Sequence, residues 1–189
     1  MSGGRTSSSG SRGQPAALRQ RCRAAQRSTG VSLLINGCFA LLLGSAGPCF
    51  AASNNVRITG LTDVAFGTVA NLSADAVQSQ SLCLYANTAS NGYNVRASGS
   101  GAGGTFSLSS GADELPFEVQ WNGTAGQSSG TQLAANVALS GLTTAATQQT
   151  CNSGPAVSAS LVVILRSAAL SSASAGSYNG SLTLLIGPE

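Results

Sequence analysis

The sequence predicts an all-β fold, a sandwich of two antiparallel sheets within residues 52–189, and three observations carry the prediction. About eight or nine short runs alternate apolar with polar residues, at intervals of roughly a dozen positions. Gly, Asn and Ser separate these runs, as turns between strands require. Apolar residues nowhere recur at helical spacing opposite a charged face, so no helix is expected. A chain of this length forms one domain, burying around two-thirds of the surface it exposes when unfolded.

Taken in order, Val56-Arg57-Ile58-Thr59 is the first run, and Asp63 to Val69 is a second, with Val64 and Phe66 on one face. Ser81 to Ala86 and Tyr93 to Ala97 flank Asn91-Gly92, so the two are expected to pair as a hairpin with a loop longer than two residues. Gly99 to Gly104 reads as a hairpin tip. Neither a Lys-Ser/Thr pair nor a helical pattern follows it, which argues against a phosphate cradle. Thr105 to Ser109 continues the strand pattern. Leu115 to Trp121 alternates most cleanly, with Phe117, Val119 and Trp121 facing one way and Glu118 and Gln120 the other. Pro116 lacks an N–H and suits a strand start or an edge.

Asn122-Gly123 then turns the chain into a polar stretch, with a weak strand expected from Gln132 to Ala134 and Asn136 to Leu139. Thr143 to Gly154 is a loop that holds Cys151. Ser160 to Arg166 is apolar on both faces, which places it in the middle of a sheet covered on both sides. The chain closes with a turn at Gly176 and Asn179-Gly180, followed by a strand that sets Leu182, Leu184 and Ile186 on one face and Thr183 and Leu185 on the other. Such a strand is either an inner member of the sandwich or an edge awaiting a partner, and those three residues are the expected wall of an assembly groove.

Residues 1–51 read as a signal peptide with an extended basic opening. Six arginines, Arg5, Arg12, Arg19, Arg21, Arg23 and Arg27, precede the apolar run Val31 to Leu43. That run is shorter than the roughly 20 residues a membrane span needs. Cleavage after Ala51 puts small residues, Cys49 and Ala51, at the two recognition positions. The basic opening is longer than a leader requires, which leaves the initiation codon open. Export to the periplasm, cell surface or extracellular space is therefore expected, without a membrane span in the mature chain.

Without the leader, Arg57, Arg96 and Arg166 face Asp63, Asp75, Asp113, Glu114, Glu118 and Glu189, three arginines against six carboxylates and a net charge of −3. There is no lysine, so no basic stripe is available and nucleic acid is excluded as a partner. Cys83 and Cys151 are the cysteines outside the leader, and an even pair in an exported chain suggests one disulfide. Closing a loop of that length would stabilise the fold by about 4 kcal/mol in the chain-entropy model. Two buried free thiols are the alternative.

An enzyme is not expected. The chain has no His, hence neither a Ser-His pair nor a His metal ligand. Asp113, Glu114 and Glu118 are the nearest approach to an acid cluster, but adjacent strand residues face opposite ways, and Asp113-Glu114 reads as a solvated turn. No catalytic, cofactor-binding or metal site is assigned. Trp121, Tyr85, Tyr93 and Tyr178 offer either a sugar-stacking face or core packing, and in a chain with so few aromatics the core is the expected place.

Three stretches together resemble the spore coat protein U-like domain family. Val64-Ala65-Phe66-Gly67-Thr68 is similar to its early Phe-Gly motif. Cys83 followed by Tyr93-Asn94-Val95 is similar to its cysteine strand and Tyr-x-Val motif, and Ala175 to Leu184 is similar to its Ala-Gly-x-Tyr ending. The resemblance spans nearly all of the mature chain. It implies a subunit of archaic chaperone–usher pili or a related surface protein, with an incomplete immunoglobulin-like sandwich completed by a neighbour's N-terminal strand. The implied partners are a periplasmic chaperone, an usher and neighbouring subunits.

The sequence departs from the family pattern in two places. A cysteine and a long alternating donor segment do not precede Asp63, although Val56 and Ile58 could fill two pockets of a neighbour, and Asn179 stands in or beside the usual aspartate position. A tip-type subunit, which receives a strand while donating little, fits the short segment. A self-complete adhesion or ligand-binding module that closes its sheet with its own Val56-Arg57-Ile58-Thr59 is the alternative.

Overall fold

The computed structural model describes residues 54–189, so the expected leader and its cleavage position at Ala51 lie outside the described residues. The elements are β1 (Asn55–Thr59), β2 (Ala76–Asn87), β3 (Gly92–Gly99), β4 (Ser107–Ser110), β5 (Asp113–Pro116), β6 (Glu118–Asn122), β7 (Thr131–Gln132), β8 (Ala138–Thr143), β9 (Ala159–Leu165), α1 (Ser167–Ser172) and β10 (Leu182–Pro188). One sheet orders its strands β1-β2-β9-β6-β7 and the other β10-β3-β8, while β4 and β5 form a separate hairpin. All strand pairings are antiparallel. The result is an immunoglobulin-like antiparallel β-sandwich.

Strand β9 is central because its sequence is apolar on both faces, and all seven of its residues are buried. Its inward row, Leu161, Val163 and Leu165, meets Val119 and Trp121 of β6 and faces Tyr93, Val95 and Ala97 of β3 in one continuous core. Trp121 and Tyr93 join the two sheets. The indole Nε1–H donates to the Tyr93 hydroxyl at 3.1 Å, and the rings meet edge to face at 6.4 Å between centroids. Where β3 ends, Gly99 is required by close approach, since a Cβ there would lie 2.3 Å from the Thr105 carbonyl oxygen.

The disulfide Cys83–Cys151 is formed, with 6.0 Å between Cα atoms. It lies outside the main core, on the outer face of β2, where it packs with Ala146 and the half-buried Tyr85. It pins the long loop between β8 and β9 onto β2. Ser158 and Thr144 complete that attachment, their hydroxyls donating to the Leu84 carbonyl and the Ser158 hydroxyl accepting from the Leu84 N–H.

Five expectations are corrected. Strands β2 and β3 do not form a hairpin: they belong to different sheets, and Asn91-Gly92 carries the chain from one to the other, with the Thr88 hydroxyl accepting from the Gly92 N–H. Asp63 to Val69 is not a strand, because neither neighbour offers it a backbone ladder. A helix does occur, α1, too short to show helical periodicity and anchored by buried Leu170 with half-buried Ala169 beside it. Ser167 begins it with an N–H that has no intrahelical partner, and the Asp75 carboxylate, far away in sequence, accepts that bond at 2.8 Å. Finally, Asp113 and Glu114 start β5 rather than forming a turn, and the run from Leu115 to Trp121 is divided between β5 and β6 at Phe117.

Candidate strand-binding groove

Strand β2 has twelve residues and β1 has five, and that difference opens the molecule. β1 pairs with Cys83–Asn87 only, ending at Thr59 opposite Cys83. The first half of β2, Ala76 to Leu82, pairs with β9 on one side and has no strand on the other among the described residues. In the facing sheet β10 pairs with β3 along one side and forms the sheet edge, with no backbone hydrogen bond from its other side among the described residues. Two unpaired edges therefore border the same gap between the sheets.

That gap is an apolar groove of about 1180 Å³. Leu161, Val163 and Leu165 of β9 form its floor, Leu182 and Leu184 of β10 one wall, and Leu115, Phe117 and Leu170 its far end. The register explains why no second sheet covers this region. The inward positions of β2 opposite Val163 and Leu161 are Gln78 and Gln80, so the core-facing row turns polar where cover ends.

Leu182, Leu184 and Ile186 share the inward face and pack against the core. Leu182 and Leu184 line the groove. Ile186 lies outside its lining, packed against the core farther along β10. Leu185 points outward and is 62% exposed. Val56 and Ile58 are committed to their own molecule, opposite Ala86 and Leu84 of β2, with their side chains against the core.

The segment Leu61 to Val69 crosses the groove mouth. Phe66 and Val69 are half-buried against the core, whereas Leu61 and Val64 are exposed. This is the stretch that carries the Phe-Gly motif, so the motif borders the groove without joining a sheet.

The ionisable groups serve the scaffold. Arg166 bridges Asp75, at 2.8 Å, and Glu118, and this double partnership keeps its guanidinium charged. The Ser167 backbone N–H, followed by the Arg166 guanidinium, holds the Asp75 carboxyl below the usual carboxylate range. Glu189 is lowered by the Gly141 N–H and the Ser140 hydroxyl. Glu114 accepts from the Ser107 hydroxyl, so Glu114 and Glu118 have separate partners and do not act as a pair. Trp121 and Tyr93 are core residues, and burial pushes the Tyr93 phenol up. Among the described residues no three metal-ligating side chains cluster, and no helix is long and apolar enough to cross a membrane.

No family model matches the sequence, and no curated protein matches it. Among solved structures the chain is similar to one from a chaperone–tip adhesin complex described as vital for synergistic activation of CFA/I fimbriae biogenesis. The identity is 16% and the TM-score 0.46, over 72% of this chain and 41% of that one. It is also similar to a chain of the CsuC–CsuE chaperone–tip adhesion subunit pre-assembly complex from archaic chaperone-usher Csu pili of Acinetobacter baumannii. There the identity is 17% and the TM-score 0.37, over 71% of this chain and 39% of that one. The chain spans about two-fifths of the length of these solved chains.

Proposed function

We propose that this chain is a secreted or cell-surface structural subunit, pilus- or fimbria-like, assembled by β-strand addition. The observation that carries the reading is the groove between two unpaired edges, with Leu161, Val163, Leu182 and Leu184 facing the space an added strand would fill. Unpaired strand edges are costly for a protein alone in water, and pairing with another chain's strand removes that cost. Leu182 and Leu184 would receive the donor's alternate side chains, while the free edge of β10 supplies the ladder. Ile186 would support that wall from the core.

The remaining parts of the proposal follow from this. Residues 1–51 act as a signal peptide cleaved after Ala51, residues 52–189 form the single sandwich domain, and the Cys83–Cys151 disulfide suits an oxidising compartment. A periplasmic chaperone would cap the groove before an usher and neighbouring subunits exchange it. The chain performs no catalysis. A tip-type role is supported by β1, which is already used within its own sheet and so is not free to be donated. That same pairing favours a second reading, a self-complete binding module, because β1 closes part of the β2 edge in cis.

Expression of residues 52–189 in the periplasm separates the two. The subunit reading predicts a reduced yield of soluble monomer for the chain alone, a higher yield with a co-expressed capping chaperone, and loss of that gain in Leu184→Lys. A soluble monomer that unfolds cooperatively and gains no stability from any donor strand would leave the binding module standing.

A further inference from the structure

We infer that Leu61 to Val69 is a strap that gates the groove, closed in the free protein and released when a strand enters. The inference rests on the groove reading above and names the regulation of that site. Between Gly60 and Asp75 the chain makes no backbone–backbone hydrogen bond to another element, yet it is held at both ends. Gly60, at φ +84°, turns it out of β1, a conformation that favours glycine. Immediately beyond, the Gln80 side chain clamps Thr62: its Oε1 accepts from the Thr62 N–H at 2.9 Å and from the hydroxyl at 3.1 Å, and its Nε2 donates to the Thr62 carbonyl at 3.1 Å. At the other end Asp75 is fixed by Arg166 and the Ser167 N–H.

Between these anchors only Phe66 and Val69 reach the core. The strap thus covers the apolar floor without filling the groove or pairing with either edge, so it shields the site at small cost in lost contacts when it lifts. The clamp also occupies Gln80, which belongs to the unpaired half of β2. A strand arriving along the groove meets the strap before it meets Leu161 or Val163.

The test compares the wild-type protein with Gln80→Ala, which removes the clamp, and Phe66→Ala, which removes the main contact of the strap. The probe is an acetylated and amidated peptide of about ten residues, enough to span the groove, alternating valine with threonine and asparagine. Association is followed by stopped-flow fluorescence of a dye carried on a lysine added at the peptide's C-terminal end, and circular dichroism verifies the fold of each variant. Loss of the clamp's hydrogen bonds in Gln80→Ala is expected to raise the association rate about five- to tenfold, and loss of the Phe66 packing in Phe66→Ala should raise it as well. Hydrogen exchange should find the amides of Asp63–Val69 fast in the free protein, and the Thr62 amide, which donates to Gln80, slower in wild type than in Gln80→Ala. Binding at the same rate in all three proteins, or slow exchange of the strap amides, overturns the strap while leaving the groove reading intact. If the probe binds none of the three, the groove reading fails and the gate falls with it.

Discussion

Replacing Tyr93 by Phe isolates one hydrogen bond at the closed side of the sandwich. Trp121 is 1% exposed and Tyr93 0%, and the Tyr93 hydroxyl is the acceptor for the indole N–H. The variant keeps the ring and its edge-to-face contact, so packing changes little. Instead it leaves a buried donor without an acceptor, which costs about 1–3 kcal/mol. With a urea m-value of about 2 kcal/mol per molar, the unfolding midpoint should fall by roughly 0.5–1.5 M at unchanged m. The assay has a built-in reporter, because Trp121 is the chain's single tryptophan and its emission shifts to the red when the core opens. Tyr85→Phe is the control. Tyr85 is half-buried beside the disulfide, and its substitution should change stability by less than about 0.5 kcal/mol. A Tyr93→Phe midpoint indistinguishable from wild type would refute the reasoning that this bond joins the sheets.

Three further outcomes are expected. Reducing Cys83–Cys151, which are 68 positions apart, should lower stability by about 4 kcal/mol in guanidinium titrations, and equal midpoints with and without reductant would contradict the assigned role of the loop. Gly99→Ala should cost about 1–3 kcal/mol and lower the thermal midpoint, because the new methyl meets the Thr105 carbonyl at 2.3 Å. Asp75, whose folded pKa is depressed from 3.8, contributes stability that is present above that value and lost as the pH falls through its lower folded value. Thermal midpoints measured from about pH 6 down to about pH 2 should therefore fall less steeply in Asp75→Asn than in wild type, and identical slopes would exclude this contribution.

The parts of the fold legible in the sequence are those where a residue pattern has one physical cause. Strand β9 is apolar on both faces because sheet neighbours and covering loops enclose it, and the alternation from Phe117 to Trp121 follows its one-sided burial. Period two reports which residues share a face, however, and says nothing about who supplies the backbone ladder. Val64 and Phe66 alternate as a strand would, yet their segment has no partner. For the same reason Leu82, Leu84 and Ala86 and then Tyr93, Val95 and Ala97 are all inward-facing whether the two runs pair or lie in opposite sheets. The groove itself left a signal, the polar Gln78 and Gln80 on the inward row of β2, opposite Val163 and Leu161, which marks where the facing sheet gives way to the Leu61–Val69 segment.

Hydrogen exchange of the β10 amides, in the free protein and with the strand probe bound, tests the strand-acceptor groove most directly. The account predicts that alternate amides of Leu182–Gly187, those on the side away from β3, exchange rapidly in the free monomer and become protected by about a hundredfold or more when a strand is added. Amides already protected in the monomer, or unchanged by a bound strand, would contradict it.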